Sequence, residues 1–251
     1  MYLKKTIKYG NKILIRKYHT LRYGKQGSRE RKKQPTKESM KRANERVAEK
    51  KLLMLMENNF LPEEDMFLTL TYKAEERPTV EEAKSILARF FRRMKRAYEK
   101  AGSELKYICT TEWNGKSIHH HIVINNVAGF NKILSECWKY GGKRSEPLYA
   151  DYDYRGLAEY MIKETSETFR DKDNPWHQRY TCSRNLKKPE EKVEVIKANE
   201  WRDDPRPSRK MEAAGYRLKA GSVEEGVDIF GYPYQEYIFE QVRNRHGKKK
   251  L

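Results

Sequence analysis

Ser117–Asn125 reads S-I-H-H-H-I-V-I-N, three consecutive histidines running directly into a β-branched apolar run. The chain has 6 histidines, so half of them stand here. The composition of the run is that of a strand. On a strand alternate side chains point the same way, so His119 and His121 share a face and His120 points to the other. Imidazole is the commonest metal ligand near neutral pH, and two co-facial imidazoles make half of a metal site. His120 is expected instead as a packed or hydrogen-bonded histidine.

Working backwards, Tyr107–Trp113 (Y-I-C-T-T-E-W) is a second β-rich run. Asn114-Gly115 between the two predicts a two-residue type I′ hairpin. That turn pairs Trp113 with Lys116 and Glu112 with Ser117; Thr110 then faces His119, and Ile108 faces His121. One face carries Ile108, Thr110, Glu112, Ser117, His119, His121 and Val123. The other carries Tyr107, Cys109, Thr111, Trp113, Ile118, His120, Ile122 and Ile124. Glu112 is then diagonal to His119, about 5–7 Å between Cβ atoms. One ion could bridge Glu112, His119 and His121. Such a set suits Mg²⁺ or Mn²⁺ with phosphate oxygens completing the shell, and also accepts Zn²⁺, Co²⁺ or Ni²⁺. The plainer alternative is a solvated polar strand face.

Working forwards, Tyr154–Thr165 (Y-R-G-L-A-E-Y-M-I-K-E-T) has helical periodicity, with Leu157, Met161 and Ile162 on one side. Tyr160 and Lys163 stand at i and i+3 and project as neighbours. A phenol can attack a phosphodiester when a metal polarises the phosphate, and a lysine one turn on can stabilise the developing charge. Considered alone, Y-x-x-K is equally an amphipathic helix with a half-buried tyrosine, because the chain has 17 tyrosines.

Taken together and in order, these pieces resemble the HUH-superfamily endonucleases, specifically the replication initiators of rolling-circle plasmids and phages. The first motif of that family, an apolar-Thr-apolar-Thr strand, is matched by Met66–Tyr72 (M-F-L-T-L-T-Y). The second, His-hydrophobe-His, is matched by His119-His120-His121, with His120 departing from the usual apolar middle slot. The third is matched by Tyr160–Lys163. Glu112 resembles the third metal ligand of many members, and Tyr180–Pro189 looks like a segment of the filamentous-phage-type initiators and their relatives in Gram-positive bacteria.

The resemblance implies an α+β fold, a central antiparallel sheet of ferredoxin-like or RRM-like topology with flanking helices. It implies Tyr160 and Lys163 as catalytic residues, and Glu112, His119 and His121 as ligands of one divalent cation, Mg²⁺ or Mn²⁺. Thr69, Thr71, Tyr72, Lys116, Arg184, Lys187 and Lys188 are the expected DNA contacts. The implied reaction nicks single-stranded origin DNA, leaves the tyrosine on the 5′-phosphate, frees a 3′-OH and later rejoins the strand. Single-stranded DNA or an origin hairpin would be the partner, with helicase and polymerase from a bacterial host, in whose cytoplasm the protein would act. A transposase or relaxase would share the chemistry. A basic nucleic-acid-binding module would show neither adduct nor metal dependence, and a hydrolase using water would leave no protein–DNA linkage.

Composition agrees with a polyanionic partner. The net charge is +18 and 36% of residues are charged, with a sequence pI of about 9.6, the electrostatic footprint of nucleic-acid binding. The tyrosines are potential platforms for unpaired bases. Cys109, Cys137 and Cys182 are scattered and form no C-x-x-C pair, which excludes a zinc knuckle or disulfide framework and fits a reducing compartment. No apolar run approaches the length of a membrane span, and no signal peptide is evident at the N-terminus. No G-x-x-x-x-G-K-[ST] loop occurs, so no nucleotide-driven helicase is expected in this chain.

The expected organisation is a basic N-terminal segment and helix over 1–59, an endonuclease core over 60–190 and a C-terminal extension over 191–251. Lys12–Lys17 is expected as one strand and Tyr23–Lys33 as a basic arm. A helix from an N-cap at Thr36 to Glu57 would present Met40, Val47, Leu52 and Leu55. Thr79-x-x-Glu82 is a capping box opening a helix to Ala101, with Ile86, Leu87, Phe90, Phe91 and Met94 buried and arginines outward, covering the sheet face away from the metal. Phe130–Trp138 is a short helix. Tyr152 and Tyr154 are alternative tyrosines, but Tyr154 is six residues from Tyr160 and does not share its face. Tyr232–Tyr237 leads into a strand.

Overall fold

The computed structural model describes residues 1–20, 38–113, 117–149, 153–166, 168–169, 174–197, 205–227 and 231–242. In chain order the elements are β1 (Tyr2–Tyr9), β2 (Lys12–His19), α1 (Glu38–Asn59), β3 (Met66–Thr71), α2 (Val80–Lys100), β4 (Tyr107–Glu112), β5 (His119–Ile124), α3 (Phe130–Cys137), β6 (Lys143–Pro147), α4 (Arg155–Lys163), β7 (Thr181–Cys182), β8 (Glu190–Ile196), α5 (Arg209–Ala213), β9 (Tyr216–Leu218), β10 (Glu224–Val227) and β11 (Pro233–Gln241). The fold is α+β, as the sequence indicates, but with two antiparallel sheets rather than one.

The chain divides into two compact units: residues 36–187, and residues 1–35 together with 188–251. These boundaries differ from those expected. α1 belongs with the core, and the N-terminal strands join the C-terminal ones. β1 and β2 form a hairpin across Gly10-Asn11, with Tyr9 opposite Lys12 and Gly10 at φ 50. A two-residue hairpin loop of the primed type requires that conformation. β8 pairs with β1 and β11 with β2, so 190–241 supply strands to one sheet in the order β10-β11-β2-β1-β8. Ile13, Ile15, Tyr237 and Phe239 pack together on it.

In residues 36–187 the sheet order is β6-β3-β5-β4-β7. β3-α2-β4-β5-α3-β6 is a β-α-β-β-α-β unit with the first strand paired to the third and fourth, the ferredoxin-like arrangement. Leu68, Leu70, Cys109, Ile122 and Ile124 point to one face. There they meet Phe90 and Met94 of α2 and Leu134 of α3. Thr79 and Glu82 form the reciprocal capping box that starts α2. As the periodicity predicts, Phe90 and Met94 are fully buried, whereas Phe91 is half-buried and stacks on Tyr107 at 3.7 Å between centroids. Ile108 and Val123 point to the other face and pack against Leu52 and Met56 of α1 and Leu157, Met161 and Ile162 of α4. Met40 and Val47, expected on the buried stripe of α1, are exposed; Leu52 and Met56 carry the packing. Thr36 and Tyr23–Lys33 lie outside the described residues.

The hairpin register is the main local correction. β4 ends at Glu112 and β5 starts at His119, so six residues separate the strands instead of two. Asn114, Gly115 and Lys116 lie outside the described residues. Glu112 stands opposite His119, Thr110 opposite His121, and Ile108 opposite Val123. Two pairings make this register the better one. It sets Cys109 against Ile122 and Tyr107 against Ile124, whereas the short turn sets Cys109 against a histidine and leaves Ile124 beyond the strand. It also brings Thr111 opposite the buried His120, whose polar atoms need partners.

Candidate metal centre and nucleophile

Strand parity separates the three histidines. His120 is completely buried on the α2 face, where Thr111 Oγ1 lies 2.9 Å from Nδ1 and the Tyr72 hydroxyl 2.9 Å from Nε2. Burial holds its pKa down at about 3. It is a satisfied core histidine, turned away from the ligand cluster.

His119 and His121 point to the other face with Glu112. His119 Nδ1 is 3.7 Å and His121 Nε2 3.5 Å from Glu112 Oε2. One ligand atom from each of the three side chains lies within 4.8 Å of the others. The second ring nitrogens have their own partners: Ser117 Oγ is 2.9 Å from His119 Nε2, and Thr69 Oγ1 is 3.4 Å from His121 Nδ1. Such contacts fix the orientation of a ligating ring. Burial lowers the His121 pKa to about 4, so its imidazole is neutral and its lone pair free for a cation at neutral pH. Two imidazoles and a carboxylate, convergent and oriented from behind, fit a divalent cation.

α4 brings Tyr160 to this cluster. Its hydroxyl hydrogen-bonds His121 Nε2 at 3.1 Å, and its ring meets the imidazole edge-on at 5.0 Å between centroids. Phe67 lies parallel to the same imidazole at 6.0 Å. Tyr160 is 39% exposed, so substrate can reach it. Its pKa is raised, first by burial and then by the charges of Glu164 and Glu112. Glu164 is the residue that sequence reasoning missed. It stands at i+4 from Tyr160, and its carboxyl is pushed up by burial and by the charge and hydrogen bond of Glu112. The i+4 spacing was the available signal. Lys163 is exposed in the last turn of α4, beside Glu164. Tyr154 is fully buried, as its separate face implies, with its hydroxyl 3.4 Å from the Phe60 carbonyl; Tyr152 lies outside the described residues.

The other expected DNA contacts are dispersed. Thr69 and Thr71 sit on β3 opposite His121 and His119. Tyr72 lies on the α2 side, half-buried against His120 and Trp138. Arg184 follows Ser183, which is bonded to Tyr107 at the far end of β4, about 16 Å along the strand from Glu112. Lys187 and Lys188 are exposed.

Residues 65–167 match a family model of replication-associated proteins, the ORF2 type. The matched segment runs from β3 through α4 and contains Glu112, His119, His121, Tyr160 and Lys163. This supports a role in replication initiation. No curated protein and no solved structure matches the chain. Among the described residues no helix is long and apolar enough to cross a membrane.

Proposed function

We propose that the protein is a metal-dependent endonuclease that nicks single-stranded DNA to start replication, with Tyr160 as nucleophile. The observation that carries this reading is the Tyr160 hydroxyl 3.1 Å from His121 Nε2, the nitrogen that also faces Glu112. A phenol at the edge of a three-ligand cluster is what transfer of a phosphodiester to tyrosine requires. The match to a replication-associated family agrees with it.

In this reading the phenol oxygen bonds to the scissile phosphorus as the bond to the 3′-oxygen breaks. The protein stays on the 5′-phosphate, and the departing oxygen takes a proton from solvent to become a free 3′-OH. The raised pKa of Tyr160 keeps the phenol protonated at neutral pH, so it needs a base. Glu164, one turn on, is placed to take that proton. Glu112, His119 and His121 would hold a divalent cation, Mg²⁺ or Mn²⁺, which when bound supplies positive charge to the scissile phosphate. Lys163 would add charge beside the phosphate, and the exposed Arg184, Lys187 and Lys188 would contact the strand elsewhere.

The test is incubation with a pool of labelled single strands and Mn²⁺, resolved on a denaturing gel. A shifted band, sensitive to EDTA and absent in Tyr160→Phe, is expected. Nicking retained by Tyr160→Phe refutes the nucleophile. Tight binding without an adduct on any strand makes the protein a nucleic-acid-binding module instead.

A further inference from the structure

Gly156, Tyr160 and Glu164 stand at i, i+4 and i+8 along α4 and its C-cap, so they share one face. Beside this stripe is a cleft of about 380 Å³ whose walls include Phe67, Glu146, Tyr149, Gly156, Leu157 and Tyr160. That volume is in the range of small-molecule sites. The chemistry at Tyr160 leaves the cleft without a role, although Tyr160 forms its wall.

Three features say what it would hold. Tyr149 is 64% exposed, an aromatic ring with a free surface at the cleft. A Cβ added at Gly156 would meet nothing within 4 Å, so the helix leaves room there. The lining has no lysine or arginine, and its one charged side chain is the carboxylate of Glu146, paired at 3.1 Å with Arg144. A cleft without cations does not select a phosphate. Aromatic and aliphatic walls with a single hydrogen-bond acceptor suit a neutral, flat group bearing an N–H donor.

We propose that the cleft takes one unpaired nucleobase of the strand whose phosphate lies at Tyr160. The base stacks on Tyr149 and donates an exocyclic amino hydrogen to Glu146. The inference rests on the proposed nicking of single strands for the identity of the ligand. Stacking on an aromatic side chain tolerates any base. The Glu146 carboxylate accepts from the amino groups of cytosine, adenine and guanine and opposes the carbonyl edge of thymine. The cleft therefore fixes the strand's register relative to the nucleophile and selects an amino-bearing base next to the nick.

The experiment uses the full chain and the single strand that binds it most tightly from a randomised pool, with 2-aminopurine placed at each position in turn. One position is expected to show quenched 2-aminopurine emission. An abasic site there should weaken binding about tenfold, within the range of base–aromatic stacking. Gly156→Leu, which fills the cleft from an exposed helix position, should abolish the quench and bind the intact and abasic strands equally. Tyr149→Ala should behave the same way and removes no core contact. Adduct formation is read separately on the same strands. A quenched position without an adduct retains the cleft and refutes the nuclease reading. An adduct without any quenched position, or an unchanged quench in Gly156→Leu, overturns the cleft.

Discussion

Replacing His120 with leucine tests whether the histidine run is divided between a core face and a ligand face. The imidazole is completely buried and satisfies two hydroxyls, Thr111 Oγ1 and Tyr72 OH, each at 2.9 Å. Leucine has similar bulk but leaves both hydroxyls without that partner, at about 1–3 kcal/mol each. Tyr72 is half-buried and recovers part of its loss from water. Packing leucine against Trp138 returns some more, so the net cost at pH 7 is about 2–3 kcal/mol. In urea that moves the unfolding midpoint down by about 1 M.

Acid should erase the difference. The folded pKa of His120 is depressed to about 3 from the ordinary 6.5. Below pH 6.5 the unfolded chain binds a proton that the folded chain does not, so the wild type loses stability as pH falls through this window. The loss is about 1.4 kcal/mol per unit, or about 2.5 kcal/mol by pH 4.5. The leucine variant lacks this term, and the two proteins should approach equal stability there. The assay is urea unfolding at pH 7 and 4.5, followed by tryptophan fluorescence, with Mn²⁺ affinity of the folded proteins by calorimetry. A gap that stays constant with pH, or a loss of Mn²⁺ affinity as large as that of His121→Ala, refutes the division.

Ser117→Ala removes the 2.9 Å contact behind His119 and should weaken Mn²⁺ binding about 10–100-fold, less than His119→Ala, by calorimetry. Glu112→Gln keeps the shape of the cluster but removes its charge; Mn²⁺ affinity equal to wild type would show that the third ligand lies elsewhere. Gly141→Ala sets a methyl against the backbone of Thr71 and Tyr72, and should lower stability by about 1–3 kcal/mol in thermal unfolding. Thr79→Ala breaks the capping box of α2 and should cost about 1 kcal/mol without changing Mn²⁺ affinity.

What the sequence made legible follows from the reach of its signals. Capping and periodicity are local, and α2, α3 and α4 lie within a residue or two of where they were expected. The sheet of residues 1–35 and 188–251 is built from pairings between β1 and β8 and between β2 and β11. These join residues nearly two hundred positions apart, and no short pattern announces them. The basic alternation of Met1–Tyr18 therefore suggested one strand where there are two. Glu164 was obscured differently: a glutamate at a helix end reads as solvated surface until the tyrosine four residues before it is known to face a carboxylate.

The metal ligands were found despite a mistaken register because strand parity tolerates an even slip. Moving the pairing by two residues takes Glu112 from diagonal to directly opposite His119, yet keeps Glu112, His119 and His121 on one face. A slip of one would have set Glu112 beside His120, under α2. The helix offers no such tolerance, since each residue turns the side chain by about 100°. Tyr160 reaches His121 only because Leu157, Met161 and Ile162 fix the rotation of α4 against Ile108 and Val123. Those two residues are on the same sheet face as the ligands, two residues along from Thr110 and His121. One face of two adjacent strands thus holds the ligands at one end and, at the other, the apolar contact that aims the nucleophile at them.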